Sequence, residues 1–116
     1  YERCYQWLVP GGLMSHQIDF KSHGLSKEWN GHWTYSKLVW RLIKGRRPYL
    51  INREPCSTHL RLMKAAGFEL LSIERHQRTS RLKRSQLAAA YCHLDQMDLE
   101  TAGLYVLARK PLVYRE

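Results

Sequence analysis

The reading of this chain turns on Leu8-Val9-Pro10-Gly11-Gly12-Leu13-Met14-Ser15-His16-Gln17-Ile18-Asp19-Phe20. Pro10-Gly11-Gly12 stops one element and redirects the backbone into the next. Residues 13–20 then read as a strand, with Leu13, Met14, Ile18 and Phe20 spread over both faces. Apolar residues on both faces are the mark of a strand covered from two sides in an α/β sheet. Ser15, His16, Gln17 and Asp19 are costly to bury without partners. Their concentration toward the carboxyl end of the strand points to a site there.

Working outward, Tyr1-Glu2-Arg3-Cys4-Tyr5-Gln6-Trp7-Leu8 reads as a helix with no capping residue before it, so chain is expected upstream. Residues 21–34 form a loop dense in histidine and aromatics, and a helix follows from about Ser36 to Lys44. Its apolar stripe is Leu38, Val39, Leu42 and Ile43, and Gly45 suits its C-terminal cap. Residues 46–55 are irregular. Ser57 is the expected N-cap of a helix over 58–66, and Gly67 leads into a strand over 68–76. A basic loop over 78–84, a weak helical stretch over 87–91 and a short helix over 95–101 precede a last strand at 103–110, ended by Pro111.

The 116 residues suffice for a modest core, and 44% hydrophobic against 25% charged residues is an ordinary globular balance. No apolar run approaches the ~20 residues that span a bilayer. Cys4, Cys56 and Cys92 are odd in number and widely spaced, which argues for a reducing, cytoplasmic setting. Neither Cys56 with His59 nor Cys92 with His93 has a second half at zinc-finger spacing, so no metal is expected. The net charge of +9 raises the question of an anionic partner.

In order and spacing these elements resemble the C-terminal half of a class I S-adenosylmethionine-dependent methyltransferase. Leu8-Val9-Pro10-Gly11-Gly12-Leu13 is similar to the family's Leu-Lys-Pro-Gly-Gly turn before its fifth strand. Leu62-Met63-Lys64-Ala65-Ala66-Gly67-Phe68-Glu69 is similar to its helix into the sixth strand, and Gly103-Leu104-Tyr105-Val106-Leu107-Ala108-Arg109-Lys110 to its seventh. The resemblance covers nearly the whole chain. It implies a partial Rossmann-like α/β fold, with the last strand antiparallel and central between 13–20 and 68–76. Residues 1–116 would form one part of a single domain whose cofactor-binding half lies N-terminal to them. The family binds its cofactor mainly through a glycine-rich loop and an acidic residue in that other half. Gly11-Gly12 precedes a strand and is not that loop. No cofactor residue is therefore assigned, and the chain alone is expected to be inactive. An unpaired sheet edge favours the missing half or a second copy as partner.

Ligands of open α/β sheets sit beyond the carboxyl ends of the strands, which directs attention to 19–35. His23 is the candidate general base for an acceptor hydroxyl, and Asp19 would orient it. Trp29, Trp33 and Tyr35 would stack on a small-molecule or glycan acceptor, Asn30 and His32 would hydrogen-bond it, and Arg53 would grip a carboxylate or phosphate. Each has a plain structural counterpart: Asp19 as a turn cap, His23-Gly24 as a bend, the tryptophans as packing, Arg53 in a salt bridge. Two rival readings remain. Arg75, Arg78, Arg81, Lys83 and Arg84 would serve a nucleic-acid-binding module, though no aromatic interleaves them. The same scaffold would also serve a non-catalytic interaction domain.

Overall fold

The computed structural model describes residues 1–112. Helix α1 (Glu2–Trp7) leads through the Pro-Gly-Gly turn into strand β1 (Leu13–Asp19). Helices α2 (Lys37–Lys44) and α3 (Cys56–Ala65) precede β2 (Glu69–Gln77). Helix α4 (Gln96–Glu100) runs directly into β3 (Thr101–Arg109). The three strands form an open sheet of order β1-β3-β2, with β3 antiparallel to both neighbours. The last strand is central, and the outer edges of β1 and β2 carry no further strand among the described residues.

Cross-strand neighbours Met14–Ala108, His16–Val106 and Ile18–Leu104 share one face of the sheet. Helices α1 and α3 cover that face, where Met14, Val106 and Ala108 join Leu60, Met63 and Phe68 in the main core. Tyr5 of α1 packs edge-on against Phe68, 5.2 Å between ring centroids. Gly67 makes this possible. Its φ of +100° is the left-handed conformation glycine tolerates, and a Cβ there would stand 3.0 Å from the Tyr5 ring.

Five expectations need correction. Strand β1 is covered on one face only: both helices lie on the Met14 side, leaving Leu13, Ser15, Gln17 and Asp19 exposed. Ser57 is not the N-cap of α3. Pro55 holds that position, and the Ser57 amide and hydroxyl instead donate to the Asp98 carboxylate. The stretch 87–91 is no α-helix but a 3-10 turn at Ala89–Tyr91, following another at Arg84–Gln86. In α2, Ser36 caps the start and Gly45 the end, yet Leu38, Val39 and Leu42 point outward. The strands shift by one or two residues: β1 ends at Asp19, β2 runs 69–77 and β3 runs 101–109.

No helix among the described residues is long and apolar enough to cross a membrane.

Candidate functional site

The loop leaving β1 divides into two parts of opposite character. In the first, Asp19 ends the strand and its Oδ1 accepts the Lys21 amide at 2.8 Å. This turn brings His23 back over the strand end, with its Nε2 3.2 Å from Asp19 Oδ2. His23 holds φ 51°, a left-handed conformation uncommon outside glycine, and Gly24 follows at φ 81°. The backbone is thus bent at two consecutive residues to set an imidazole against a carboxylate. Lys21 Nζ lies 3.4 Å from the same carboxylate oxygen. All three side chains are about half exposed. Asp19 and Lys21 also line an open depression of about 600 Å³ on the uncovered sheet face, floored by Gly103 and bordered by Glu74, His76 and Tyr105.

The second part is interior. Trp33 is fully buried, donates through Nε1 to the Arg53 carbonyl at 2.8 Å, and packs with Leu87 and Leu99 in a second core cluster. Asn30 is fully buried and its amide donates to Ser80 Oγ and to the Leu99 carbonyl, both at 2.9 Å. His32 is buried beside it. Burial first, then the Arg53 guanidinium and His23, hold its pKa at about 4, so the ring is neutral at physiological pH. Buried Asn30 Oδ1 and His32 Nδ1 have no protein partner. Trp29, half-buried, donates to the Thr79 carbonyl at 3.0 Å, and the Tyr35 hydroxyl donates to the Leu25 carbonyl at 2.8 Å.

Arg53 is a clamp. Its Nη1 donates to the carbonyls of His32 (3.1 Å) and Tyr35 (2.6 Å). The guanidinium lies 4.5 Å over the Trp40 ring and 5.0 Å over that of Tyr91. Two carbonyl acceptors and two aromatic faces leave it committed to holding the loop.

The structure therefore brings Asp19 and His23 together at the carboxyl end of β1 and buries Asn30, His32 and Trp33, while Arg53 borders a shallow depression with Tyr35, Lys37 and Tyr91. The side chains of Asn30, His32, Trp33 and Arg53 pack inside the loop, which has no regular backbone ladder, so that side chains supply its hydrogen bonds. Trp29 and Tyr35 keep partial exposure with their polar atoms already paired.

Three features escaped sequence reasoning. Lys21 joins the Asp19–His23 pair, for which the two-residue spacing from Asp19 was the available signal. Trp40 and Tyr91 flank Arg53 from distant segments, with no local signal. Lys27, Arg78 and Arg81 share a cleft with Trp29, because the Trp29–Thr79 bond ties the two loops together. Among the described residues, no group of three or more His, Cys, Asp and Glu is arranged to hold a metal ion. The Cys56 thiol is buried, which pushes its pKa up and away from a nucleophile's range.

The backbone of Gly11-Gly12 is occupied by the sheet. The Gly11 amide donates to the Lys110 carbonyl at 2.8 Å, and the Lys110 amide to Gly12 at 2.9 Å. It offers no cradle for a nucleotide-like cofactor. In comparison with known proteins, no family model, curated protein or solved structure matches the chain.

Proposed function

We propose that the chain is the acceptor-side half of a Rossmann-like S-adenosylmethionine-dependent methyltransferase domain, with Asp19 and His23 as its proton-handling pair. The observation that carries this reading is the 3.2 Å Asp19–His23 contact, held by a left-handed backbone at the carboxyl end of a strand. The sheet order β1-β3-β2 with an antiparallel centre supports it as well. The cofactor's part, the electrophilic methyl group, belongs to a half carrying the glycine-rich loop. That half would pair with the open edge of β1.

The chain's own chemistry is removal of a proton. With Nε2–H donated to Asp19, the His23 Nδ1 lone pair is free to accept the hydroxyl proton of a small-molecule or glycan acceptor. The resulting imidazolium rests against the Asp19 carboxylate, which stabilises the positive charge as it forms. The exposed depression lined by Asp19 and Lys21 adjoins this pair without including His23, and a polar acceptor seated at its rim would have to reach over Asp19 to the imidazole.

Calorimetric titration of the chain with S-adenosylhomocysteine tests the architecture. No heat and no thermal stabilisation are expected, and clear one-to-one binding would overturn the half-domain reading. In a protein carrying both halves, His23→Ala is expected to lower turnover about 10²- to 10⁴-fold. Unchanged turnover across pH would remove His23 as the base.

The nucleic-acid reading keeps one observation in its favour, the cleft of Lys27, Arg78 and Arg81 beside Trp29. A binding constant for single-stranded RNA that falls steeply with added salt would favour it.

A further inference from the structure

Helix α2 has its apolar residues on the wrong side for a core helix. Trp40 and Ile43 are half-buried, and Trp40 stacks on Tyr35 at 22° beneath Arg53, which fastens the helix to the body. Leu38 and Leu42, one turn apart, are 64% and 73% exposed. Lys37, Arg41 and Lys44 form the next row around the cylinder, at i, i+4 and i+7. An apolar row and a cationic row thus lie side by side on the outward surface.

The chain beyond the helix continues the pattern. Arg46 and Arg47 are exposed, and Tyr49, 81% exposed, sits beside them. Arg47 also donates to the carbonyls of Ile43 and Lys44, so the helix end is held with its cations in place. From Trp29 to Arg53 there is not one Asp or Glu. The other occupants of an apolar face, a second copy or the remaining half of the domain, give no reason for Arg41, Lys44, Arg46 and Arg47 to gather beside it; the fifth cation, Lys37, shares a depression with the carboxylates of Glu54, Asp95 and Asp98.

We infer that α2 with the Arg46–Tyr49 turn is a docking surface for an anionic lipid membrane, seating Leu38, Leu42 and Tyr49 at the interface while the basic row meets the headgroups. An amphipathic helix lying in the membrane plane, with Lys and Arg on its polar face, has this distribution. The aromatic Tyr49 suits the headgroup level. Binding is peripheral and reversible, since two turns of helix bury little apolar area. It is independent of the enzymatic reading.

The test is co-flotation of the chain with vesicles of phosphatidylcholine alone and of phosphatidylcholine with phosphatidylserine. Binding is expected to the mixed vesicles only, and to weaken with added salt. Arg41→Gln with Lys44→Gln should lower the partition coefficient roughly thirtyfold. Leu38→Asp with Leu42→Asp should abolish binding while leaving the circular dichroism spectrum unchanged, since neither side chain packs in the core. Binding that survives the two leucine substitutions overturns the proposal, because the overall charge of the chain then accounts for it. So does failure to bind either vesicle, and in that case a dimer that dissociates on Leu42→Asp identifies a second copy as the occupant.

Discussion

The two parts of the loop between β1 and α2 hold similar residues under opposite conditions. Asp19, Lys21 and His23 stand in solvent and are paired with one another. Asn30, His32 and Trp33, a few positions on, are sealed inside and paired with backbone carbonyls, with the Ser80 hydroxyl or with nothing. A histidine is a candidate proton carrier in the first setting and a neutral packing unit in the second. Residue type alone does not separate the two. What separates them is whether the polar atoms are needed to hold the loop together.

That contrast is sharpest at Trp33. Trp33→Ala is expected to destabilise the fold by about 3–5 kcal/mol, through lost burial and an empty cavity, as read by urea unfolding. A loss below about 1 kcal/mol would mean that the second core cluster contributes little and the contrast fails. His32 gives the next largest effect. Its folded pKa of about 4 lies below the ordinary 6.5, so between those values the unfolded chain binds more protons. Stability from this residue is full above pH 6.5 and falls by roughly 3 kcal/mol as pH drops toward 4. His32→Gln should flatten that slope in chemical unfolding measured across the range. If the slope is unchanged, His32 is more hydrated than its burial implies.

Arg53→Met keeps much of the stem but removes the donors to His32 and Tyr35 and the charge over Trp40. A loss of about 2 kcal/mol is expected, with Arg53→Lys recovering only part of it because an ammonium cannot lie flat between two rings. Thermal denaturation of both variants checks this. His23→Ala closes the series, with a stability change within about 0.5 kcal/mol. A much larger loss would make His23 a structural residue like His32 and collapse the distinction between the two halves of the loop.

Much of the sheet was legible because strands announce themselves by apolar runs and bounding turns. Pro10-Gly11-Gly12 before β1 and Gly67 before β2 are local signals, and both hold. Ser57 misled because its real partner, Asp98, lies 41 residues away, and a capping rule reads only neighbours. Helix α2 was legible as a helix, since periodicity fixes the conformation. Periodicity does not say which side meets the body, and here Trp40 rather than the leucine row decides it. The Asp19–His23 pair was readable from its four-residue spacing at a strand end. The burial of Asn30, His32 and Trp33 was not, because it depends on contacts to Ser80, Leu99 and Arg53 that no window around residue 30 contains.

The sheet's arrangement has a bearing on how the chain emerges from the ribosome. Among the described residues β1 and β2 do not pair with each other; each bonds to β3, with Leu13 facing Arg109 and Glu69 facing the same residue from the other side. Since β3 follows both outer strands in the chain, neither has this shared partner until β3 has been made. Nascent chains stalled short of β3 should therefore be protease-sensitive across β1 and β2 and good clients for holding chaperones. Protection of both outer strands should arrive together, in one step, once β3 clears the exit tunnel.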